Sequence, residues 1–220
     1  MTRIGATRLA LCAAALSSWT AAAWAQTFVS VAAGASTQAE GASDQPYLGP
    51  PFDGTSGALV AAVDRAAARS VAFGGEISLA SAISGEQSQR APGGSNVFVS
   101  EHRDTILSAT VKIGSPLDAP AHVAFVLGGG VAQRHMTRSG AFNPGFGLRV
   151  STPFSETLND WAPAITLGVD LAVSLARRAA LFGAARVHAL KDDDRLPDGV
   201  VKRGVSSTIV RLGGGLQLNF

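Results

Sequence analysis

Hydrophobic and polar residues alternate with a period of two along the end of the chain, from Arg203 to Phe220. Leu216, Leu218 and Phe220 lie on one side of this pattern, and Gln217 lies on the other. Successive side chains of a β-strand point to opposite faces. The pattern therefore predicts a strand with one apolar and one polar face.

The same alternation recurs in seven earlier segments. With the last segment, the predicted strands are 27–34, 58–65, 70–83, 104–114, 121–132, 161–175, 180–190 and 203–220. The connections between them are alternately long and short, and the long ones are 35–57, 84–103, 133–160 and 191–202. Two of these long loops could contain further strand, at Val97–Val99 and at Phe146–Phe154.

The segregation of long loops to one end favours a membrane barrel over a soluble sandwich. Transmembrane β-barrels have short turns on one side and longer loops on the other. An open sheet edge in hydrocarbon leaves backbone groups unpaired, so only a closed barrel spans a membrane. The sequence predicts an all-β fold, an eight-stranded antiparallel up-and-down transmembrane β-barrel.

The N-terminus predicts an export signal. Arg3 and Arg8 form a basic region, Leu9–Leu16 is apolar, and Ala23–Ala25 provides a small-x-small cleavage site. An uncleaved membrane anchor is the alternative. We expect residues 1–25 to be a cleaved signal peptide and residues 26–220 to form one barrel domain.

Charge and cysteine content exclude several functions for the mature chain. The one cysteine, Cys12, belongs to the predicted signal, which excludes thiol chemistry and thiolate metal sites from the rest. Removing Arg3 and Arg8 from the 18 Lys and Arg leaves the chain balanced against its 16 Asp and Glu. This neutrality gives no support to a nucleic-acid partner.

Six charged residues fall on the face opposite the apolar one. If the apolar face meets lipid, these side chains point into a lumen that is filled rather than open. They are Asp64, Glu76, Lys112, Asp170, Arg186 and Arg211. Their mixed signs predict a structural salt-bridged network, with a gated ion path as the alternative. A hairpin symmetric about Arg178 predicts that Asp170 lies directly opposite Arg186.

The chain resembles the outer-membrane β-barrel family of the OmpA/OmpX type in its signal peptide, its eight alternating segments and its terminal Phe220. The final hairpins also carry the resemblance, with ITLGVDLAVSLARRAALFGAARVH from Ile165 followed by RLGGGLQLNF from Arg211. The resemblance extends over the whole mature chain and implies an outer-membrane location. In that family, a C-terminal strand ending in Phe is the signal read by the barrel-assembly machinery. Leu216, Leu218 and Phe220 match that signal here.

No catalytic, cofactor or metal site is predicted. His102, His122, His135 and His188 show no metal-ligand spacing. Lys191–Asp194 with Asp198 could bind Ca²⁺, but they lack the EF-hand spacing and fit a solvated turn better. Gly128–Gly130 and Gly213–Gly215 lie within strands and do not precede a helix, unlike phosphate-binding glycines.

Three functions agree with this pattern. The first is a small outer-membrane barrel with a structural, adhesive or envelope-stabilising role, embedded in outer-membrane lipid and able to bind an extracellular ligand through its loops. The second is a lipid-modifying barrel enzyme. The third is a soluble periplasmic sandwich or lipocalin-like binder. We expect the first, without catalysis.

Overall fold

The chain folds into a closed antiparallel β-barrel in a computed structural model. The structure describes residues 26–40, 54–91, 94–144, 152–191 and 207–220. The strands are β1 (Thr27–Glu40), β2 (Gly54–Ala68), β3 (Val71–Ala80), β4 (Ile83–Ala91), β5 (Gly94–Gly114), β6 (Ala121–Pro144), β7 (Thr152–Ala176), β8 (Ala179–Leu190) and β9 (Ser207–Asn219). None of the described residues forms a helix long and apolar enough to cross a membrane.

Eight strands form the barrel wall. Neighbours in sequence pair from β1 to β3 and from β5 to β9, while the pairings β3–β5 and β1–β9 close the circle. The ninth strand, β4, follows β3 along the same edge of β5 after a break at Ser81 and Ala82. The predicted fold class is confirmed.

Both ends of the described chain lie at the short-turn end of the barrel. The backbones of Thr27 and Phe220 exchange two hydrogen bonds, of 2.9 and 3.1 Å, which extend the β1–β9 ladder to its last residue. The connections at this end are the short segments 69–70, 115–120 and 177–178. The strand ends that flank residues 41–53, 145–151 and 192–206 all lie at the opposite end of the barrel.

Two of the predicted long loops are largely strand. β4 and the first part of β5 pair from Ile83–His102 to Ala91–Gly94, inside the predicted loop 84–103. β6 and β7 pair as far as Phe142 and Thr152, inside the predicted loop 133–160. The loop assignments were therefore wrong at these ends, although the predicted faces within the barrel are correct. Residues 145–151, most of the predicted short strand 146–154, lie outside the described residues.

Candidate functional site

The outward face of the barrel is a continuous apolar belt. Phe125, Leu167 and Leu212 are 70%, 52% and 59% exposed although they lie in the middle of paired strands. Outward positions alternate with buried ones along each strand, as the sequence pattern predicts. Among the described residues, the outward charges lie toward the ends of the strands, with Arg65 near the short turn after β2 and Arg103 on the loop side. Such a face is stable only against hydrocarbon, because it would leave a very large apolar patch in water.

Polar and aromatic side chains mark the loop-side edge of the belt. Arg103, His135 and Asn159 are direct ladder neighbours and are exposed on the outer face. His135 Nδ1 and Asn159 Oδ1 lie 2.6 Å apart. One outward position closer to the barrel centre lies Trp161, which is 60% exposed. Aromatic residues at this level are typical of the membrane–water interface.

Five of the six predicted lumen charges form one chain of ion pairs. Lys112 Nζ lies 2.8 Å from Asp64 Oδ2 and 2.6 Å from Asp170 Oδ2. Arg186 Nη1 lies 2.6 Å from the other oxygen of Asp170. Arg186 also binds Glu76 through Nη2 and Nε, at 2.6 and 2.9 Å. All five side chains are buried, so acids and bases alternate across the lumen and join β2, β5, β7, β8 and β3.

The register predicted for the β7–β8 hairpin is wrong by two residues. Arg186 lies opposite Gly168, and Asp170 lies opposite Ala184. The hairpin turns at Arg177 and Arg178 and carries a bulge between Ser174 and Ala176, which the symmetric hairpin did not include. A shift of two leaves every side chain on its predicted face. Arg186 and Asp170 therefore still meet, as diagonal rather than direct neighbours.

Glycine makes room for the Arg186 side chain. A Cβ at Gly168 would lie 2.8 Å from Arg186 Cδ and 3.0 Å from Nη1. The same Cβ would lie 2.4 Å from the Ala185 carbonyl oxygen, so a larger residue at this position requires both the Arg186 side chain and the neighbouring β8 backbone to shift. The absence of a side chain at Gly168 thus serves the ion-pair chain.

Arg211, the sixth predicted lumen charge, lies directly opposite Arg186 but has different partners. Its Nε donates to Ser36 Oγ at 3.2 Å, its Nη1 donates to Ser78 Oγ, and its Nη2 donates to the Asp104 carbonyl at 3.5 Å. Like charges in adjacent positions repel, and this geometry directs the two guanidinium groups to different parts of the lumen.

A second charged cluster, which the sequence pattern did not predict, lies on the loop side of the ion-pair chain. Asp104 Oδ1 lies 3.0 Å from His102 Nε2 and 3.6 Å from Arg134 Nε. His102 and Asp104 are buried in the lumen, whereas the sequence pattern assigned His102 to a loop. The sequence did contain a signal for this cluster. His102, Asp104 and Ile106 alternate with the outward residues, so they continue the lumen-facing row of β5 toward the loop side.

A neutral hydrogen-bonded group lies beside these charges. Ser108 Oγ and Thr166 Oγ1 are 2.9 Å apart, and Thr166 Oγ1 lies 2.9 Å from His188 Nδ1. All three side chains are buried inside the barrel, so this Ser–Thr–His group does not face lipid. No group of three or more His, Cys, Asp or Glu within the described ranges could hold a metal ion. Residues 192–206, including Asp198, lie outside the described ranges.

The predicted assembly residues lie on the belt. Leu216, Leu218 and Phe220 all point outward and are 55%, 45% and 69% exposed. Phe220 lies at the short-turn end, where its backbone completes the β1–β9 ladder. The three side chains form a row on the outer face of β9.

An apolar exterior around a charged, filled interior defines an eight-stranded transmembrane β-barrel. No family model and no curated protein matches the chain. Several solved structures resemble it. The attachment invasion locus protein Ail of Yersinia pestis is 12% identical, with a TM-score of 0.49, and the alignment covers 89% of this chain and 99% of that one.

Two further structures resemble the chain to a similar extent. A major outer membrane protein from Thermus thermophilus is 16% identical, with a TM-score of 0.47 over 89% of this chain and 99% of that one. Outer membrane protein OprG from Pseudomonas aeruginosa is 12% identical, with a TM-score of 0.41 over 89% and 96%. Because every one of these TM-scores is below 0.5, the assignment to the class rests on the geometry of the barrel itself.

Proposed function

We propose that the protein is a small outer-membrane β-barrel that holds a rigid β-sheet outside the membrane for adhesion or envelope stabilisation, without catalysis. The observation that carries this proposal is the length of three neighbouring strands. β5, β6 and β7 have 21, 24 and 25 residues. A tilted membrane span needs only ~9–11 residues, so roughly half of each strand extends beyond the belt on the loop side.

The projecting sheet supports binding because, within the part of the chain that the structure describes, both of its edges lack a further pairing strand. Within the described residues, β4 pairs in the sheet with β5 alone. On the other edge, β7 pairs with β8 only up to Ala164–Leu190, so its residues 152–163 extend beyond that ladder. An open edge presents unpaired backbone N–H and C=O groups, which an extended segment of another protein can pair with.

The enzyme alternative has less support. A barrel enzyme acting on lipid needs its nucleophile and base near the outer face. The Ser108–Thr166–His188 group is buried in the lumen, and His135 on the outer face is hydrogen-bonded to Asn159. A comparison of lipid A mass spectra from cells with and without the protein would detect such an activity.

Trimming the projecting sheet tests the adhesion proposal. One variant replaces residues 84–101 by an Asn-Gly turn, and a second replaces residues 135–159 in the same way. We expect both to keep the barrel folded, because the ion-pair chain and the belt lie below the cuts and loop length costs little entropy. We also expect cells displaying the variants to lose retention on surfaces coated with fibronectin, collagen or laminin.

Two readouts separate folding from binding in that experiment. The heat-dependent gel shift of the barrel reports folding, and the number of retained cells reports adhesion. If cells carrying either trimmed variant are retained as well as cells carrying the full-length protein, the proposal is contradicted. A lost gel shift in both variants would show instead that the projecting sheet is needed for the barrel itself.

A further inference from the structure

The barrel wall divides in two at the break between β3 and β4. The β2–β3 ladder ends at Ala58–Ala80, followed by one hydrogen bond of 2.8 Å from Ser81 N to the Gly57 carbonyl. Above this point β2 continues along β1, whereas β4 continues along β5. From Leu79 to Ile83 the chain advances by one residue more than its partner β5, which is the mark of a bulge.

A groove of about 680 Å³ lies on the outside of the barrel at this seam. Ala33 and Gly57 contribute little side-chain volume to it, while Leu59 and Leu79 also line it. All four residues stand at outward positions of their strands, so the groove opens toward lipid. Its volume lies within the ~300–1,000 Å³ of small-molecule sites.

A single cation lies among the lining residues of the groove. Arg103 lines it together with Thr105 and is exposed on the outer face, opposite the break in the wall. It stands at the loop-side edge of the belt, beside His135 in the ladder. The outward acid Glu101 is one outward position further from the membrane. An arginine above an apolar groove matches an amphiphile with an anionic head and a hydrocarbon tail, because its planar fork binds phosphate oxygens through two hydrogen bonds.

We propose that the seam groove binds a membrane lipid with a phosphate-bearing headgroup. The phosphate lies on Arg103, and an acyl chain lies along Leu79, Leu59 and Ala33, which are direct ladder neighbours on β3, β2 and β1. This orientation agrees with the loop-side leaflet, whose headgroups are at the level of Arg103. The site is independent of the projecting sheet, so it does not rest on adhesion.

Native mass spectrometry of the protein released from detergent micelles tests the site. The probes are phosphatidylglycerol, the diacylglycerol with the same acyl chains, and inorganic phosphate. Arg103→Gln removes the cation, and Ala33→Trp fills the groove from its lipid-facing side. Lys191→Gln and Ala189→Trp are matched controls, because both residues are exposed at outward positions near the same end of β8. The heat-dependent gel shift confirms that each variant is folded.

We expect the wild-type protein to retain one phosphatidylglycerol molecule. Arg103→Gln should weaken retention by about tenfold or more, as the loss of a charge-assisted hydrogen bond predicts. Ala33→Trp should reduce binding of both phosphatidylglycerol and diacylglycerol, whereas both controls should stay within about twofold of the wild type. Diacylglycerol should bind more weakly than phosphatidylglycerol and be unaffected by Arg103→Gln.

Several results would overturn the lipid site. These are equal phosphatidylglycerol retention in the wild type and Arg103→Gln, an equal loss in Lys191→Gln, and competition by inorganic phosphate that indicates a free-anion site. If Ala33→Trp does not fold, the comparison of Arg103→Gln with Lys191→Gln still tests whether lipid binding depends on Arg103, because both variants exchange an exposed cation for an amide. If the protein forms a dimer that does not bind the lipid, the groove is instead the contact surface for a second copy of the chain.

Discussion

Replacing Arg186 with glutamine is expected to lower the free energy of unfolding by about 3–5 kcal/mol, the usual cost of breaking a buried ion pair on one side. Arg186 is 1% exposed and bridges Glu76 and Asp170, each of which is 2% exposed. Without the guanidinium, Glu76 loses its ion-pair partner in the lumen, while Asp170 keeps Lys112. The unfolding of the barrel by urea in lipid vesicles, followed by the fluorescence of Trp161, measures this change.

A double-mutant cycle isolates the pair of Arg186 and Glu76. We expect Arg186→Gln combined with Glu76→Gln to cost less than the sum of the two single changes, because neither charge is then left uncompensated. Arg69→Gln is the control, since its ion pair with Asp118 is exposed and such pairs contribute about 0–1 kcal/mol. Additive effects, or an equal loss in Arg186→Gln and Arg69→Gln, would show that the lumen network contributes no coupling energy.

Replacing Phe220 with alanine is expected to reduce the yield of folded protein in the outer membrane severalfold. The side chain is exposed at the end of the Leu216–Leu218–Phe220 row, where we infer that the assembly machinery binds. The backbone of Phe220 exchanges two hydrogen bonds with Thr27, and the substitution leaves both in place. Any loss of yield therefore reports the aromatic ring and not the β1–β9 ladder.

The matched variants separate recognition from stability. Phe220→Trp keeps an aromatic ring and should retain the yield, and refolding of purified Phe220→Ala into detergent should be close to normal. Densitometry of the folded and unfolded bands in outer-membrane fractions gives the yield. Normal yield for Phe220→Ala would contradict a role of this ring as the assembly signal. Impaired refolding in detergent would assign the ring a structural role in the barrel.

The faces of the strands were predictable because the membrane imposes them. Leu167 and Thr166 must point in opposite directions in any strand, and only one of them tolerates hydrocarbon. The ends of β6 and β7 were not predictable in the same way. Ser139–Ala141 lies beyond the belt, where no lipid selects an apolar face, so this segment shows no clear alternation and resembles a loop in sequence. Gly and Ser in these segments strengthened the wrong assignment.

The lumen charges were predictable as a set but not as pairs. Arg186 and Glu76 are 110 residues apart in the chain, and they meet across the barrel, not along a ladder. Which side chains meet in this way depends on the tilt and stagger of all eight strands, which no single hairpin determines. The β7–β8 hairpin shows the same limit. Its turn at Arg177 and Arg178 and the bulge after Ser174 each shift the register by one residue, and the two together leave every face as predicted.

A spin-label scan along β7 tests most directly whether the barrel faces lipid. Residues 26–220 contain no cysteine, so single cysteines can be placed at Leu167, Thr166 and the outer position Ser155 and labelled with a nitroxide in lipid vesicles. We predict that the label at Leu167 collides with oxygen and not with a water-soluble nickel complex, that Thr166 is protected from both, and that Ser155 collides with nickel. A label at Leu167 that collides with nickel as often as the one at Ser155 would contradict the transmembrane barrel.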